Sequence, residues 1–456
     1  MIHLKNCFRI ATFNDNGDEF SNKDILIDNG LIKRIDSGIE LTTEEAANAR
    51  IIDCSGFLVI PGLVNCHHHF YQTLTRNIPG AQDAKLFDWL RHLYPIWARL
   101  DEEAVYYSTL LACAELLKTG ATTTADHLYL YPRGFKGDMT AIQFEAADKL
   151  GIRFSPTRGS MTLSEKDGGL PPNHVVQNPD EVISDMRRVI ERFHDDSPHA
   201  MHKIALAPCS PFSVDEEVMV ETAKLAREYG VVMHTHLVET LDEENFCIEK
   251  YNRRPLRLME DWGWVGKDVY FAHGIYFTDD ELEILHETRT GICHCPTSNM
   301  RLGSGVARIK EMRELGIRLC LGVDGSASND SSDILGEARN ALLLQRVKYG
   351  SDALGAREVL HMAIRGGADI LGFEGIGQIE AGFAADLAIF DMNALQYAGA
   401  LSDPVAAIIF SGFCHQTVFT IVNGQIVVEK GVLKGLDEKE IIDSANKASA
   451  RMIGIG

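Results

Sequence analysis

Three histidines and one aspartate in this 456-residue sequence have the types and the spacing of a metal site. In Pro61-Gly-Leu-Val-Asn-Cys-His67-His68-His69, an apolar run ends in a His-x-His pair. Residues two apart on a strand point to the same side, so His67 and His69 face one way and His68 the other. Two imidazoles presented together suit a borderline-soft ion such as zinc. A second run, Val231-Val-Met-His234-Thr-His236-Leu-Val-Glu239, offers His236 as a third imidazole and places Glu239 where strand passes into loop. His234 shares the parity of His236 but lies deeper, and reads as a supporting or core histidine. A third run, Val269-Tyr-Phe-Ala-His273, ends on His273. A fourth, Leu319-Cys-Leu-Gly-Val-Asp324, sets an acid directly after a buried strand, which is costly unless the acid meets a cation.

Together, His67, His69, His236 and Asp324 make a mixed nitrogen and oxygen site for one divalent ion, zinc first, with Fe2+ as the alternative. Such an ion draws the pKa of a water it holds down toward neutrality. Glu239 and His273 are then the groups left over to move protons and orient the attacking oxygen. Gln72, three residues past His69, carries an amide that both donates and accepts, which matches the edge of a lactam ring. Arg158 closes the strand-like run Phe154-Ser-Pro-Thr-Arg158, and reads equally as a contact to a substrate oxo group or as half of a surface ion pair. Trp89, Tyr94 and Trp97 stand at roughly helical spacing and read mainly as core. Asp330 and Asp333 read as helix-capping residues. Cys293 and Cys295 flank His294, yet no second cysteine pair stands at zinc-finger spacing. His127 and His294 receive no role from the sequence.

These residues need elements to hold them. Apolar runs occur near 58–65, 121–126, 152–157, 203–208, 231–237, 269–273, 290–294 and 317–323, with helical patterns after most of them. Eight strands alternating with helices predict an α/β fold, a (β/α)₈ TIM-type barrel over 58–378 with its chemistry at the C-terminal strand ends. An open doubly wound sheet would carry a Gly-rich phosphate loop after an early strand, and none is present. Residues 1–57 and 379–456 are both β-rich, with Asn-Gly hairpin signals at Asn29-Gly30 and Asn423-Gly424. They predict one small β-sandwich built from both chain ends, with a terminal helix over 437–453 outside the barrel.

Hydrophobic content is 45% and charged content 24%, ordinary for a globular protein. The formal charge of −21 repels phosphates and anionic lipid, so the expected substrate is a free small molecule, with no nucleic acid and no membrane as partner. Assembly with copies of itself stays open. No apolar run reaches the length of a membrane span, and no secretory pattern is read at the start. Ten cysteines without a disulfide-like framework point to reduced thiols and a cytoplasmic location.

Taken jointly, several motifs resemble the amidohydrolase superfamily, in its branch of mononuclear aromatic deaminases. They are the His67-His-His segment, His236-Leu-Val-Glu-Thr, the His273 strand, Cys295-Pro-Thr-Ser-Asn-Met-Arg-Leu-Gly-Ser-Gly, Gly322-Val-Asp-Gly-Ser-Ala-Ser-Asn and Gly377-Gln-Ile-Glu-Ala-Gly-Phe-Ala-Ala-Asp-Leu-Ala. The resemblance covers nearly the whole chain. It implies a metal-dependent aminohydrolase acting on C–N bonds of cyclic amidines. Glu239 would deliver a proton to the ring nitrogen beside the attacked carbon. Asp324 would pass a proton to the leaving ammonia, and His273 would hydrogen-bond the attacking oxygen. Two-metal relatives often carry a bridging lysine on the fourth strand; here Lys203 stands at its wrong end, so one metal is expected. Two segments, His67–Arg76 running on to Asp88–Leu100, and Thr124–Pro132, are similar to 8-oxoguanine deaminases, and related stretches occur in hydroxy-s-triazine aminohydrolases. The implied substrate is a free purine-like base, 8-oxoguanine first. Hydroxy-s-triazines or guanine are the alternatives, and a non-catalytic scaffold is the remote one. Pro208-Cys209-Ser210-Pro211 replaces the Arg-Phe pair usual in guanine deaminases, which counts against plain guanine.

Overall fold

The structure is a computed structural model and describes residues 1–411 and 415–455. Eight parallel strands follow one another around a barrel in chain order. They are β1 (Leu63–Asn65), β2 (Ala121–Asp126), β3 (Arg153–Ser160), β4 (Ala205–Pro208), β5 (Val232–Leu237), β6 (Val269–His273), β7 (Gly291–His294) and β8 (Leu319–Leu321). The last strand closes on the first, where Cys66 N–H donates to Leu321 O at 3.0 Å and Asp324 N–H to His67 O at 3.0 Å. Helices wrap the outside and are started by side-chain caps such as Asp101, Asp138, Asn178 and Thr240, each accepting from backbone N–H groups of the first turn.

The apolar run at 58–65, expected as a single barrel strand, is shared between two sheets. Phe57–Pro61 pairs antiparallel with Leu387–Asp391, while only Leu63–Asn65 enters the barrel. The hand-over falls at Gly62, whose N–H donates to Asp386 O at 2.8 Å, while the next residue, Leu63, donates to Gly120 O at 2.9 Å. Periodicity alone cannot see this change of partner, because both halves are buried.

Both chain ends build the second unit. A seven-stranded sheet joins Arg9–Ala11, Glu19–Phe20 and Phe57–Pro61 to Leu387–Asp391, Phe419–Val422, Gln425–Glu429 and Val432–Leu433. A four-stranded sheet from Ile2–Cys7, Lys23–Asp28, Leu31–Asp36 and Arg50–Asp53 lies over it. Leu4, Ile25, Ile27, Val59, Leu387 and Ile421 fill the space between the two sheets. The two Asn-Gly hairpin turns have positive φ at both residues (Asn29 50°, Gly30 83°; Asn423 46°, Gly424 72°), the geometry that matches strand twist. The turns also meet, since a Cβ on Gly424 would stand 2.8 Å from Gly30 Cα. Sandwich and barrel are bolted by a buried ion pair, Arg153 Nε to Asp386 Oδ2 at 2.9 Å. The terminal helix Glu438–Ile453 packs on the outer helix Glu102–Lys118, and Ser449 Oγ donates to Leu74 O at 2.6 Å. No helix among the described residues is long and apolar enough to cross a membrane.

Candidate metal centre and active site

Three strand ends, those of β1, β5 and β8, bring the predicted ligands to one point at the C-terminal mouth of the barrel. His69 Nε2 and His236 Nε2 stand 3.1 Å apart. Asp324 Oδ1 lies 3.2 Å from His69 Nε2 and 3.4 Å from His67 Nε2. Each imidazole is fixed from behind. His69 Nδ1–H donates to His127 O at 2.8 Å, and His236 Nδ1–H to Cys209 O at 2.7 Å. His234 Nδ1–H donates to Tyr270 O at 3.1 Å, which leaves its Nε2 to accept from His67 Nδ1–H at 2.7 Å. His67, His69 and His236 therefore all aim Nε2 inward. His67 Nε2 is buried with no hydrogen-bond partner. Burial holds His67 and His236 well below the ordinary histidine value, so both stay neutral. Converging lone pairs and a carboxylate oxygen repel one another unless a cation lies between them. Three imidazoles and one carboxylate converging in this way fit a divalent ion.

His68 turns away and meets Ser332 Oγ at 2.9 Å, as strand parity requires. His127 also reaches the cluster, but its Nε2–H donates to Ala207 O and its ring stacks on His236 with centroids 4.7 Å apart. His294 is buried and neutral, pushed down to about 3 by burial. Lys203 pairs with Asp196 at 3.4 Å at the opposite end of the strand, so β4 brings no lysine to the centre.

The proton-handling groups stand beside the ring. His273 Nε2 is 3.5 Å from Glu239 Oε2 and 4.0 Å from Asp324 Oδ2, and its Nδ1–H donates to Asn299 Oδ1 at 2.9 Å. Burial works to lower His273, but the carboxylates of Glu239 and Asp324 outweigh it and hold the ring above its ordinary value. Burial pushes the Glu239 carboxyl up, so it keeps a proton more readily than an exposed glutamate does. The backbone at these strand ends is left-handed in non-glycine residues: Val238 (φ 56°), His273 (φ 74°) and Asp324 (φ 62°). Such strained turns persist only where the surroundings over-determine them, and here they aim the side chains of one centre.

Above the ring is a cavity of about 30 Å³, room for roughly one water molecule. Gln72 lines it as expected, lying over Gly325, where a Cβ would run into the Gln72 amide. Its Oε1 has no hydrogen-bond partner. Trp89 and Tyr94 of the helix Leu86–Trp97 pack in the core and also roof the cavity, while Trp97 turns away to donate to Thr75 Oγ1 at 3.0 Å. Tyr129, Cys209, Phe212, Leu302 and Ser328 complete the wall, and sequence reasoning assigned none of them a role. Tyr129 and Cys209 did carry a signal, since they follow the C-terminal ends of β2 and β4. Burial pushes the Cys209 thiol up to about 12 and the Tyr129 hydroxyl well above its ordinary value, so both remain donors.

Arg158 goes elsewhere, which corrects its reading as a substrate contact. Strand β3 runs on to Ser160, so Arg158 is not at its end, and parity sends the side chain outward. Its Nε donates to Asp185 Oδ2 at 2.6 Å on the helix Pro179–Phe193, and its guanidinium lies 3.9 Å from the Tyr131 ring centroid. It lines a larger cleft of about 790 Å³ on the barrel flank, which contains none of the ring residues. Asp333 caps the helix Ile334–Tyr349 as expected, whereas Asp330 pairs with Arg301 at 3.2 Å.

The model of the amidohydrolase family matches residues 58–427. The chain belongs to the amidohydrolase family. It is 42% identical to 8-oxoguanine deaminase of Pseudomonas aeruginosa, across 97% of this chain and 98% of that one. It is 38% identical to hydroxydechloroatrazine ethylaminohydrolase of a Pseudomonas species, across 88% of this chain and 84% of that one. Among solved structures, atrazine chlorohydrolase TrzN from Arthrobacter aurescens TC1 complexed with zinc superposes with a TM-score of 0.94 at 30% identity, covering 98% of this chain and 100% of that one. This amidohydrolase is a hydrolytic deaminase with a histidine-rich metal site, acting on a C–N bond of a small molecule.

Proposed function

We propose that the chain deaminates a free purine-like base, 8-oxoguanine to urate and ammonia, with one zinc ion held by His67, His69, His236 and Asp324. Fe2+ is the alternative for the same donor set. The likeness to 8-oxoguanine deaminase over nearly the full length of both chains carries the substrate. The wall residues support it, since Gln72, Tyr129 and Cys209 put an amide, a hydroxyl and a thiol beside the metal-site histidines. An oxo and N–H on a five-membered ring would give such donors partners that guanine lacks. The −21 charge argues against a nucleic-acid substrate, and the cysteines among the described residues, free and buried, suit a reducing cytoplasm.

When bound, the ion supplies an activated water and polarises the reacting centre. Glu239 holds a proton at the cavity wall and delivers it to the ring nitrogen beside the amine-bearing carbon. Asp324 accepts a proton from the attacking water and passes it to the departing ammonia. His273, anchored by Asn299, donates from Nε2 to the attacking oxygen. The hydroxy-s-triazine relative at 38% identity keeps one rival in view. Ammonia release measured in parallel on 8-oxoguanine, guanine, isocytosine and a hydroxy-aminotriazine decides between them. The expected order puts 8-oxoguanine first in kcat/KM. A triazine ahead by roughly tenfold, about 1.4 kcal/mol, would overturn the purine assignment and leave the centre intact.

A further inference from the structure

The turn that carries Glu239 is held by a second buried glutamate that the chemistry above does not use. Helix Leu241–Tyr251 starts at the cap Thr240, so Glu243 occupies the third helical position. A glutamate at that position ordinarily reaches back to the backbone N–H of the cap. Three helices of this chain follow that rule: Glu45 accepts from Thr42 N–H at 3.0 Å, Glu281 from Thr278 N–H at 2.9 Å and Glu358 from Gly355 N–H at 2.6 Å. Glu243 departs from it. Its Oε1 accepts from Val238 N–H at 2.9 Å and its Oε2 from Glu239 N–H at 3.1 Å, both residues ahead of the cap.

That reach has a cost and a target. Glu243 is fully buried, and no cation pairs with it among the described salt bridges. Val238 is a β-branched residue at φ 56°, a region such side chains avoid. Its carbonyl is gripped from the other side, by Ile275 N–H at 2.9 Å and Tyr276 N–H at 3.3 Å. The Glu239 side chain itself is held loosely, with Ser304 Oγ at 3.4 Å and His273 Nε2 at 3.5 Å. The backbone grip therefore sets where the Glu239 carboxyl sits.

We propose that Glu243 is a positioning residue whose carboxylate latches the left-handed turn at Val238 and so fixes Glu239 against the metal centre. This rests on Glu239 as the proton-handling group. The test replaces Glu243 by Gln and by Asp in the wild-type chain and in the Glu239→Gln background. Glutamine has one acceptor where two N–H groups point, so one bond is lost and an NH₂ faces an N–H. In the wild-type background, kcat of Glu243→Gln should fall roughly tenfold to a hundredfold, as small misplacements of reacting groups do. Metal content and KM should stay within about twofold of wild type. Deuterium exchange in the peptide over 236–241 should quicken, and Glu243→Asp should recover part of the loss. In the Glu239→Gln background the same substitution should cost less than about twofold, because the group it positions is gone. A kcat within twofold of wild type for Glu243→Gln would overturn the proposal. So would an equal loss in both backgrounds. Failure of the proton-shuttle reading itself would show separately, as near wild-type turnover in Glu239→Gln alone.

Discussion

The floor of the cavity is built from strand ends, and its roof from a helix laid across them. On the floor, His67, His69, His236 and Asp324 are each tied to backbone or to one another within 2.6–3.4 Å, and every outward ring nitrogen has a named acceptor. On the roof, Leu86, Trp89, Leu90 and Tyr94 line the cavity together with Phe212 and Leu302, all members of one apolar cluster. The floor demands particular atoms at particular places, while the roof demands only shape. Relatives of this chain are named for purine, pterin and triazine substrates, which fits one reaction run beneath different roofs.

The comparison can be broken by substitution, and the floor should give the largest effects. His236→Ala should lose both activity and metal, read as less than one equivalent by elemental analysis against one in wild type. Two equivalents in fully active wild-type protein would remove the single-ion reading. Glu239→Gln should keep the metal and lose about 10²–10⁴-fold in kcat, the usual worth of a general acid–base group. At the wall the effects should be smaller and selective. Gln72→Leu and Tyr129→Phe should keep metal and fold but change the ratio of kcat/KM between 8-oxoguanine and isocytosine. Each should shift it by roughly 1–3 kcal/mol, the cost of an unpaired buried polar group. A uniform loss on every substrate would place these residues with the floor instead.

The smallest expected effect concerns stability. Burial pushes the carboxyl of Glu243 up to about 7 and that of Glu337 up to about 8, both above the ordinary 4.5. The folded chain then binds more protons than the unfolded one between these limits, so stability falls as pH rises from about 4.5 through about 8. Glu337→Gln should flatten that slope in a denaturant series across pH, though it weakens the acceptors for Thr297 N–H and Asn329 Nδ2. An unchanged slope would mean that Glu337 does not titrate there.

What was legible in the sequence follows the same division. Metal ligands must be His or Asp at strand ends with a spacing of two, so the floor stood out in His67-x-His69, His236 and Asp324. Asn29-Gly30 and Asn423-Gly424 marked their hairpins because only a few residues accept positive φ twice in succession. Arg158 stays between a substrate contact and an ion pair in the sequence because parity is unforgiving: a strand register misjudged by one residue turns an inward residue outward, and the structure takes the ion pair. Tyr129 and Cys209 carried only the signal of their place after strand ends, and Phe212 carried less, since a wall defined by shape accepts many residue types. Glu243 stands three residues after Thr240, an ordinary capping spacing, and its reach past the cap depends on the turn at Val238 that no spacing encodes.

The antiparallel pairing of Phe57–Pro61 with Leu387–Asp391 has a consequence for how the chain is made. The two partners are separated by roughly 330 residues of sequence. At ribosomal rates of about 5–20 residues per second, the earlier strand waits for about a quarter of a minute to a minute before its neighbour exists. During that wait Phe57–Pro61 has its bonds to Arg9–Ala11 on one side only, and the other edge faces the crowded exit of the ribosome. The residue that ends this strand is six positions from His67. The segment leading into His67 is thus synthesised early, and the sandwich sheet beside it is complete only after the far end of the chain has come back to cover the start.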